Sequence, residues 1–303
     1  MKRSTVLRLA ACAAVLGLAS SVLAAEPSPS PSPTPTPPTV KAGIGVGKVA
    51  FEQKGAIKVA DLVSGRIDSY DLPERMEAPA WGPDGLKFLY NSDFGLSLLD
   101  IQGQTFTGLT PASVKAQNAA WSADGSQAAY EVVTGEAGLF VYGLADKKST
   151  RVPLAVQASR AAFHPNGASL LFTAPVAGVD QLFTLPLACV KDNSCDKAAQ
   201  QLTKAAQPSR GGVYSPDGAW IAFEREESGA SAIYVMKADG TGAKRVSPAK
   251  VDDRNPSWGG TERLAFDRAG EGGRSVFLMK ADGSDAQELV KDAVNPAWWV
   301  PKK

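Results

Sequence analysis

Short apolar stretches, each bounded by a turn signal, recur along most of the chain. Leu86-Lys87-Phe88-Leu89-Tyr90 and Trp220-Ile221-Ala222-Phe223 read as one strand of a repeating unit. Ala232-Ile233-Tyr234-Val235 and Ser275-Val276-Phe277-Leu278 read as the next. No helical period persists beyond a turn or two, so the pattern predicts an all-β chain. An aromatic residue ahead of a turn marks each unit: Trp81, Trp121, Phe163, Tyr214, Trp258 and Trp298, at spacings of 40, 42, 51, 44 and 40 residues.

The turns themselves repeat. They read Trp81-Gly82-Pro83-Asp84-Gly85, Trp121-Ser122-Ala123-Asp124-Gly125, Phe163-His164-Pro165-Asn166-Gly167 and Tyr214-Ser215-Pro216-Asp217-Gly218. Proline presets the first turn position, Asp or Asn bonds nearby backbone, and glycine takes positive φ without a steric penalty. The fifth copy, Trp258-Gly259-Gly260-Thr261, has lost the Pro-Asp-Gly core but keeps the period. A second turn, clearest in Lys237-Ala238-Asp239-Gly240 and Lys280-Ala281-Asp282-Gly283, precedes a short fourth strand such as Lys244-Arg245-Val246. Four short strands in a unit of about 40–50 residues is the composition of a propeller blade.

The last unit, Asn295-Pro296-Ala297-Trp298-Trp299-Val300, supplies only the first strand of a repeat. The missing three lie at the other end: Val49-Ala50-Phe51-Glu52, Ala56-Ile57-Lys58-Val59 and Arg66 to Tyr70. The chain is therefore expected to form a six-bladed β-propeller over residues 44–303. Each blade should hold four antiparallel strands, with the C-terminal strand joining the N-terminal blade so that no raw edge remains at the seam.

Ahead of this domain, Lys2, Arg3 and Arg8 precede an apolar run from Leu9 to Leu23 and small residues at Ala24 and Ala25. Residues 1–25 thus read as a secretory signal peptide, the run falling short of the roughly 20 residues that span a bilayer. Cys12 sits inside the apolar run instead of after it, which ranks a lipid anchor behind simple export. Residues 26–43 read as a Pro/Ser/Thr-rich linker that favours extended polyproline II. Export predicts a periplasmic or secreted protein, with the periplasm preferred and no stable membrane insertion.

Removing residues 1–25 takes the formal charge from +1 to −2. A near-neutral chain has no electrostatic footprint for nucleic acid. Cys189 and Cys195, with five residues between them, are expected to close a disulfide loop, as thiols do in an oxidising compartment. The sequence contains a single histidine, so no four-ligand metal set is assembled and neither metal nor cofactor is expected.

The repeats, with their Trp-Ser-Pro-Asp-Gly-type and Ala-Asp-Gly turns, resemble the TolB-like propeller family over residues 44–300. TolB itself carries a separate α/β domain before its propeller, where this sequence has the proline-rich spacer. The resemblance implies an envelope protein or peptide partner, bound at a propeller face or channel, and no chemistry performed by the propeller. A monomer is expected.

Propeller-gated serine hydrolases need a Gly-x-Ser-x-Gly elbow and a further αβ domain, and neither is present in the sequence. His164 occupies the serine slot of a turn. Gly43-Ile44-Gly45-Val46-Gly47-Lys48 has the wrong spacing for a phosphate loop and leads into a strand. Glu224, Glu226 and Glu227 with Arg225 look like a solvated strand end. The recurring aromatics are read as packing between blades, with a stacking ladder for sugars or bases as the alternative.

Residues entering the innermost strands should line one mouth of the channel: Glu77, Asn118, Arg160, Arg210, Arg254, Asn255 and Asn295. Three arginines converging there would receive an acidic segment, since guanidinium pairs well with carboxylate. The insertion carrying Cys189 and Cys195 is a second candidate contact. The leading expectation is a non-catalytic protein-interaction scaffold. A binder of envelope glycan or a small channel ligand stands next, and a cryptic propeller enzyme last.

Overall fold

The computed structural model describes residues 39–70 and 74–301. The segment expected to be a signal peptide and most of the expected proline-rich linker lie outside the described residues. Those described form six four-stranded antiparallel sheets. In chain order, blade 1 spans residues 77–108, blade 2 116–151, blade 3 159–201, blade 4 209–245 and blade 5 253–290. Blade 6 unites the two ends. Its inner strand Val294–Trp299 pairs with Lys48–Gln53, in the register Lys48 with Trp299, Val49 with Trp298, Ala50 with Ala297 and Glu52 with Val294. The ring closes through main-chain hydrogen bonds, as the sequence pattern required.

Burial explains why the strands stack. The second strand of every blade carries a central aromatic, Phe51, Tyr90, Tyr130, Phe172, Phe223 or Phe266, and none is more than 2% exposed. The core lies between neighbouring sheets. Ala50, Ile57 and Val59 of blade 6, for example, pack with Met76, Trp81, Phe88 and Leu99 on and beside blade 1. The repeating aromatic of the inner strand is a tie between blades. Trp81 Nε1 donates to the Ala297 carbonyl at 3.0 Å, Trp121 to Ala80 at 3.1 Å and Trp258 to Val213 at 3.1 Å. In each case the acceptor sits on the inner strand of the preceding blade. Buried indole N–H groups need such a partner, and these find one.

The turns behave as their composition predicts. Asp124 accepts from the Ser122 hydroxyl at 2.6 Å and from the Ser126 amide at 3.0 Å. These bonds favour the charged form and hold the Asp124 carboxyl down at about 2. A carboxylate depressed in the folded state contributes stability above its ordinary pKa and loses it as the pH falls through the folded value. Asp124 should therefore titrate near pH 2 by carbon NMR, and Ser122→Ala should move the midpoint up toward 4. An unchanged midpoint would show that the serine does not set it. His164 fills the serine position with its ring instead. Its Nδ1 accepts from the Asn166 amide at 3.2 Å, and the ring meets Tyr214 edge-on at 4.6 Å.

Cys189 and Cys195 form a disulfide, and both are buried. They start two single-turn helices, Cys189–Asp192 and Cys195–Ala198, the only α-helices among the described residues. Both cysteines belong to the same buried cluster as Val152, Leu154 and Phe163, while Asp196 accepts from the Ala155 amide at 2.8 Å. The insertion thus staples blade 3 to the connection leaving blade 2. Replacing both cysteines with alanine should cost about 2–3 kcal/mol, the scale for a closed loop this short. For a domain of this size that lowers the melting temperature by roughly 5–10 °C. A melting curve identical to the parent would remove the staple.

Candidate functional site

All six inner strands border one cavity of about 170 Å³ on the ring axis. Its wall is set by a single backbone device repeated in every blade. The residue three before each repeating aromatic is Ala78, Asn118, Arg160, Gly211, Asn255 or Asn295, and all six have left-handed φ between 46° and 62°. At the same place each inner strand shifts register against its neighbour. One β-bulge per blade re-aims the chain here. Asparagine tolerates the left-handed region better than most residues, and glycine does so without strain.

The bulge frees a main-chain N–H from its own ladder and gives it to the blade before. Asn295 N donates to Asp267 Oδ2 at 3.0 Å, Asn255 N to Glu224 Oε1 at 3.0 Å and Gly211 N to Thr173 Oγ1 at 3.2 Å. Ala78 N serves Glu52 in the same way. Side chains then bind within the blade. Asn255 Nδ2 reaches Asp267 at 2.8 Å, Asn295 Nδ2 reaches Glu52 at 3.1 Å and Asn118 Nδ2 reaches Glu131 at 2.8 Å. Blade 3 has Thr173 in place of a carboxylate, and its Arg160 crosses to Glu224 of blade 4 at 3.0 Å. The acceptors occupy one repeat position, immediately after the buried aromatic of the second strand. Together they make a polar girdle around the channel.

The girdle is electrostatically uneven. Glu224 is paired with Arg160, and Asp267 with Arg274, which also holds Asp252 at 2.8 Å. Glu52 and Glu131 receive amide donors at the girdle. Burial pushes the Glu52 carboxyl above the usual range, with repulsion from Glu77 adding to it. Hydrogen bonds from Asn295 and Ala78 act in the opposite direction.

Of the expected mouth residues, Asn118, Arg160, Asn255 and Asn295 meet in the cavity wall. Glu77, Arg210 and Arg254 are not part of it. Each sits one position earlier, and successive side chains of a strand point to opposite faces. Their partners are local. Glu77 pairs with Arg75 at 2.5 Å, Arg210 lies 3.4 Å from Asp180 and 3.6 Å from Glu226, and Arg254 lies 3.0 Å from Asp252. Of the three arginines, Arg160 alone lies in the cavity wall. Sequence reasoning missed Ala78 and Gly211, which only the three-residue offset from the aromatic would have revealed. It also misread Glu224. That side chain is no solvated strand end but a buried acceptor, 3% exposed, for two blades. An acidic residue directly after the second-strand aromatic was the available signal.

Fold and site together define a class: a six-bladed propeller with an axial channel girdled by polar side chains. A family model described as TolB beta propeller domain matches residues 91–300, and the chain belongs to that family. Over 97 residues it is 33% identical to the Tol-Pal system protein TolB of Anaeromyxobacter dehalogenans, which covers 32% of this chain and 20% of that relative. The match thus spans a minor part of the relative's length. Among solved structures, TolB from Acinetobacter baumannii superposes with a TM-score of 0.71 at 18% identity, covering 83% of this chain and 66% of the other. Putative TolB from Agrobacterium tumefaciens gives 0.65 at 19% identity, covering 86% and 95%. At these identities the structural likeness speaks for the fold.

Proposed function

We infer that the protein is an exported, non-catalytic propeller of the cell envelope that receives a segment of a protein partner at its channel entrance. The observation that carries this reading is the girdle. Asn118, Arg160, Asn255 and Asn295 are each held from beneath by a carboxylate on a rigid central strand, so the entrance presents a preorganised polar ring. Among the described residues its wall contains no serine, cysteine or histidine, which favours recognition over nucleophilic catalysis. Similarity to Tol-Pal system proteins supports an envelope protein as the partner.

Size favours the protein reading over the small-ligand one. Pockets for small molecules hold about 300–1,000 Å³, and this cavity holds about 170 Å³. A protruding side chain or a narrow loop suits it better than a glycan. Arg210 and Arg254 stand partly exposed, where carboxylates of an acidic segment would compete with Asp180, Glu226 and Asp252. Lys2, Arg3 and Arg8 ahead of the apolar run support export. No helix among the described residues is long and apolar enough to cross a membrane.

A photo-crosslinking residue placed at Ala119, in the channel wall, tests the reading against one placed at Lys148, on the outer strand of blade 2. The Ala119 probe should give one discrete adduct with an envelope protein and the Lys148 probe none. Adducts from Lys148 alone, or from neither position, would overturn it.

A further inference from the structure

The outer strands of the six blades are not equally protected. An open sheet edge offers unpaired N–H and C=O groups to any extended chain, and native proteins blunt such edges with charge, short length or a covering segment. Five blades here do so. Ile67–Tyr70 carries Asp68 and is flanked by a bridge from Thr39 to Arg66. Lys148–Arg151 is charged at both ends, and Gln287–Val290 carries Glu288. Gln200–Gln201 and Lys244–Arg245 are only two residues long. Blade 1 ends differently. Its outer strand is Thr105-Phe106-Thr107-Gly108, exposed at every position, and residues 101–114 contain no charge at all.

The groups on offer at this edge follow from its register. Leu109 N donates to the Leu96 carbonyl at 2.8 Å, and Thr107 and Thr105 stand opposite Leu98 and Asp100. Antiparallel pairs alternate between bonded and non-bonded. Thr105 and Thr107 therefore turn their main-chain groups inward, and Phe106 and Gly108 turn theirs outward. Phe106 and Gly108 also share a face of the blade. The Phe106 side chain is 59% exposed, and a Cβ at Gly108 would meet nothing nearer than 4.0 Å. An exposed ring thus lies beside an empty side-chain position. Phe94, 57% exposed, tops the same blade, so the two most exposed aromatic side chains among the described residues belong to it.

We propose that the outer edge of blade 1 is a second docking surface, which takes a short, extended, uncharged segment of a partner protein as a fifth strand. The segment would exchange main-chain hydrogen bonds with Phe106 and Gly108 and lay an apolar side chain over Gly108 against the Phe106 ring. The outer strand has no charge to pair with one on the occupant, so an uncharged segment that bonds through its main chain and touches the Phe106 ring suits this edge. Length selects a segment over a second copy of this chain. Four residues span only about 13 Å, whereas a stable pairing of globular subunits takes roughly 20–30 residues a side. This surface is independent of the channel entrance.

The probe is a fluorescein-labelled hexapeptide, Thr-Val-Thr-Val-Thr-Val, with neutral ends, compared with a version carrying lysine at the three valine positions. The neutral peptide should give a saturable rise in anisotropy, and the lysine version should bind at least about tenfold more weakly. Phe106→Pro removes an outward N–H, a change edge strands tolerate, and Phe106→Lys adds charge. Each should weaken binding about tenfold or more with an unchanged melting temperature. Hydrogen exchange should slow at the Phe106 and Gly108 amides and stay unchanged at Thr105 and Thr107. Binding absent at millimolar peptide, or indifferent to both substitutions, would overturn the proposal. So would a dimer in light scattering that Phe106→Lys dissolves, which would make the occupant a second copy. None of these outcomes bears on the Ala119 crosslink.

Discussion

A chain ending at Ala293 is expected to lose its cooperative thermal transition, bind a hydrophobic dye and aggregate. Only residues 294–303 are missing, yet the loss reaches the whole ring. Lys48–Gln53 would lose its inner neighbour, baring Val49, Ala50 and Phe51, which are fully buried in the closed molecule. Trp298 would go as well. It is 7% exposed, and its Nε1 donates to the Val46 carbonyl at 2.9 Å. Truncating a buried tryptophan to alanine alone costs about 3–5 kcal/mol, against a total stability of about 5–15 kcal/mol for ordinary domains. Losing that strand also leaves the inner edge of Lys48–Gln53 raw, which promotes association. A synthetic peptide of residues 294–301 should restore part of the transition when added in excess, since a ligand specific for the folded form stabilises it. A sharp, parent-like transition in the truncated chain would show that closure does not hold the ring.

Asp267→Ala should be the most damaging single substitution at the girdle. The carboxylate has no exposed side-chain surface and joins two blades. It accepts from Arg274 and Asn255 within blade 5 and from the Asn295 amide of blade 6. Removing one partner of a buried ion pair costs about 3–5 kcal/mol, because the other is left without its counter-charge. Part of that is recovered here, since Arg274 keeps Asp252 and is 21% exposed. Asp267→Asn retains an acceptor and should lose clearly less. Asp285→Ala is the control. It breaks the exposed pair with Arg263, 2.6 Å apart, and should cost no more than about 1 kcal/mol. Urea denaturation separates the three. Equal midpoints for Asp267→Ala and Asp285→Ala would remove the girdle from the account of stability.

The comparison of Asp267 with Asp285 also shows why the site was harder to read than the fold. Both are aspartates of blade 5, and composition does not separate them. Glu224 was similarly hidden among Arg225, Glu226 and Glu227, a run that looks solvated when written out. Only its neighbour Phe223, the buried aromatic of the second strand, marks it as facing inward.

The blade count, the four strands per blade and the seam between the termini were legible in the residues alone. They rest on local turn chemistry and on a period of about 40–50 residues, and both act over short stretches of chain. Which side chains face the axis was decided by the tertiary structure. Strand alternation assigns faces only while the register is unbroken, and a single bulge exchanges them. Each inner strand has such a bulge three residues before its aromatic, so Asn118, Arg160, Asn255 and Asn295 reach the channel while Glu77, Arg210 and Arg254 do not. The carboxylates that hold this wall come from the adjacent strand of the same blade at Asn118 and Asn255, from the next blade at Arg160 and from the other end of the chain at Asn295, and only packing of the blades and closure of the ring bring the last two into place.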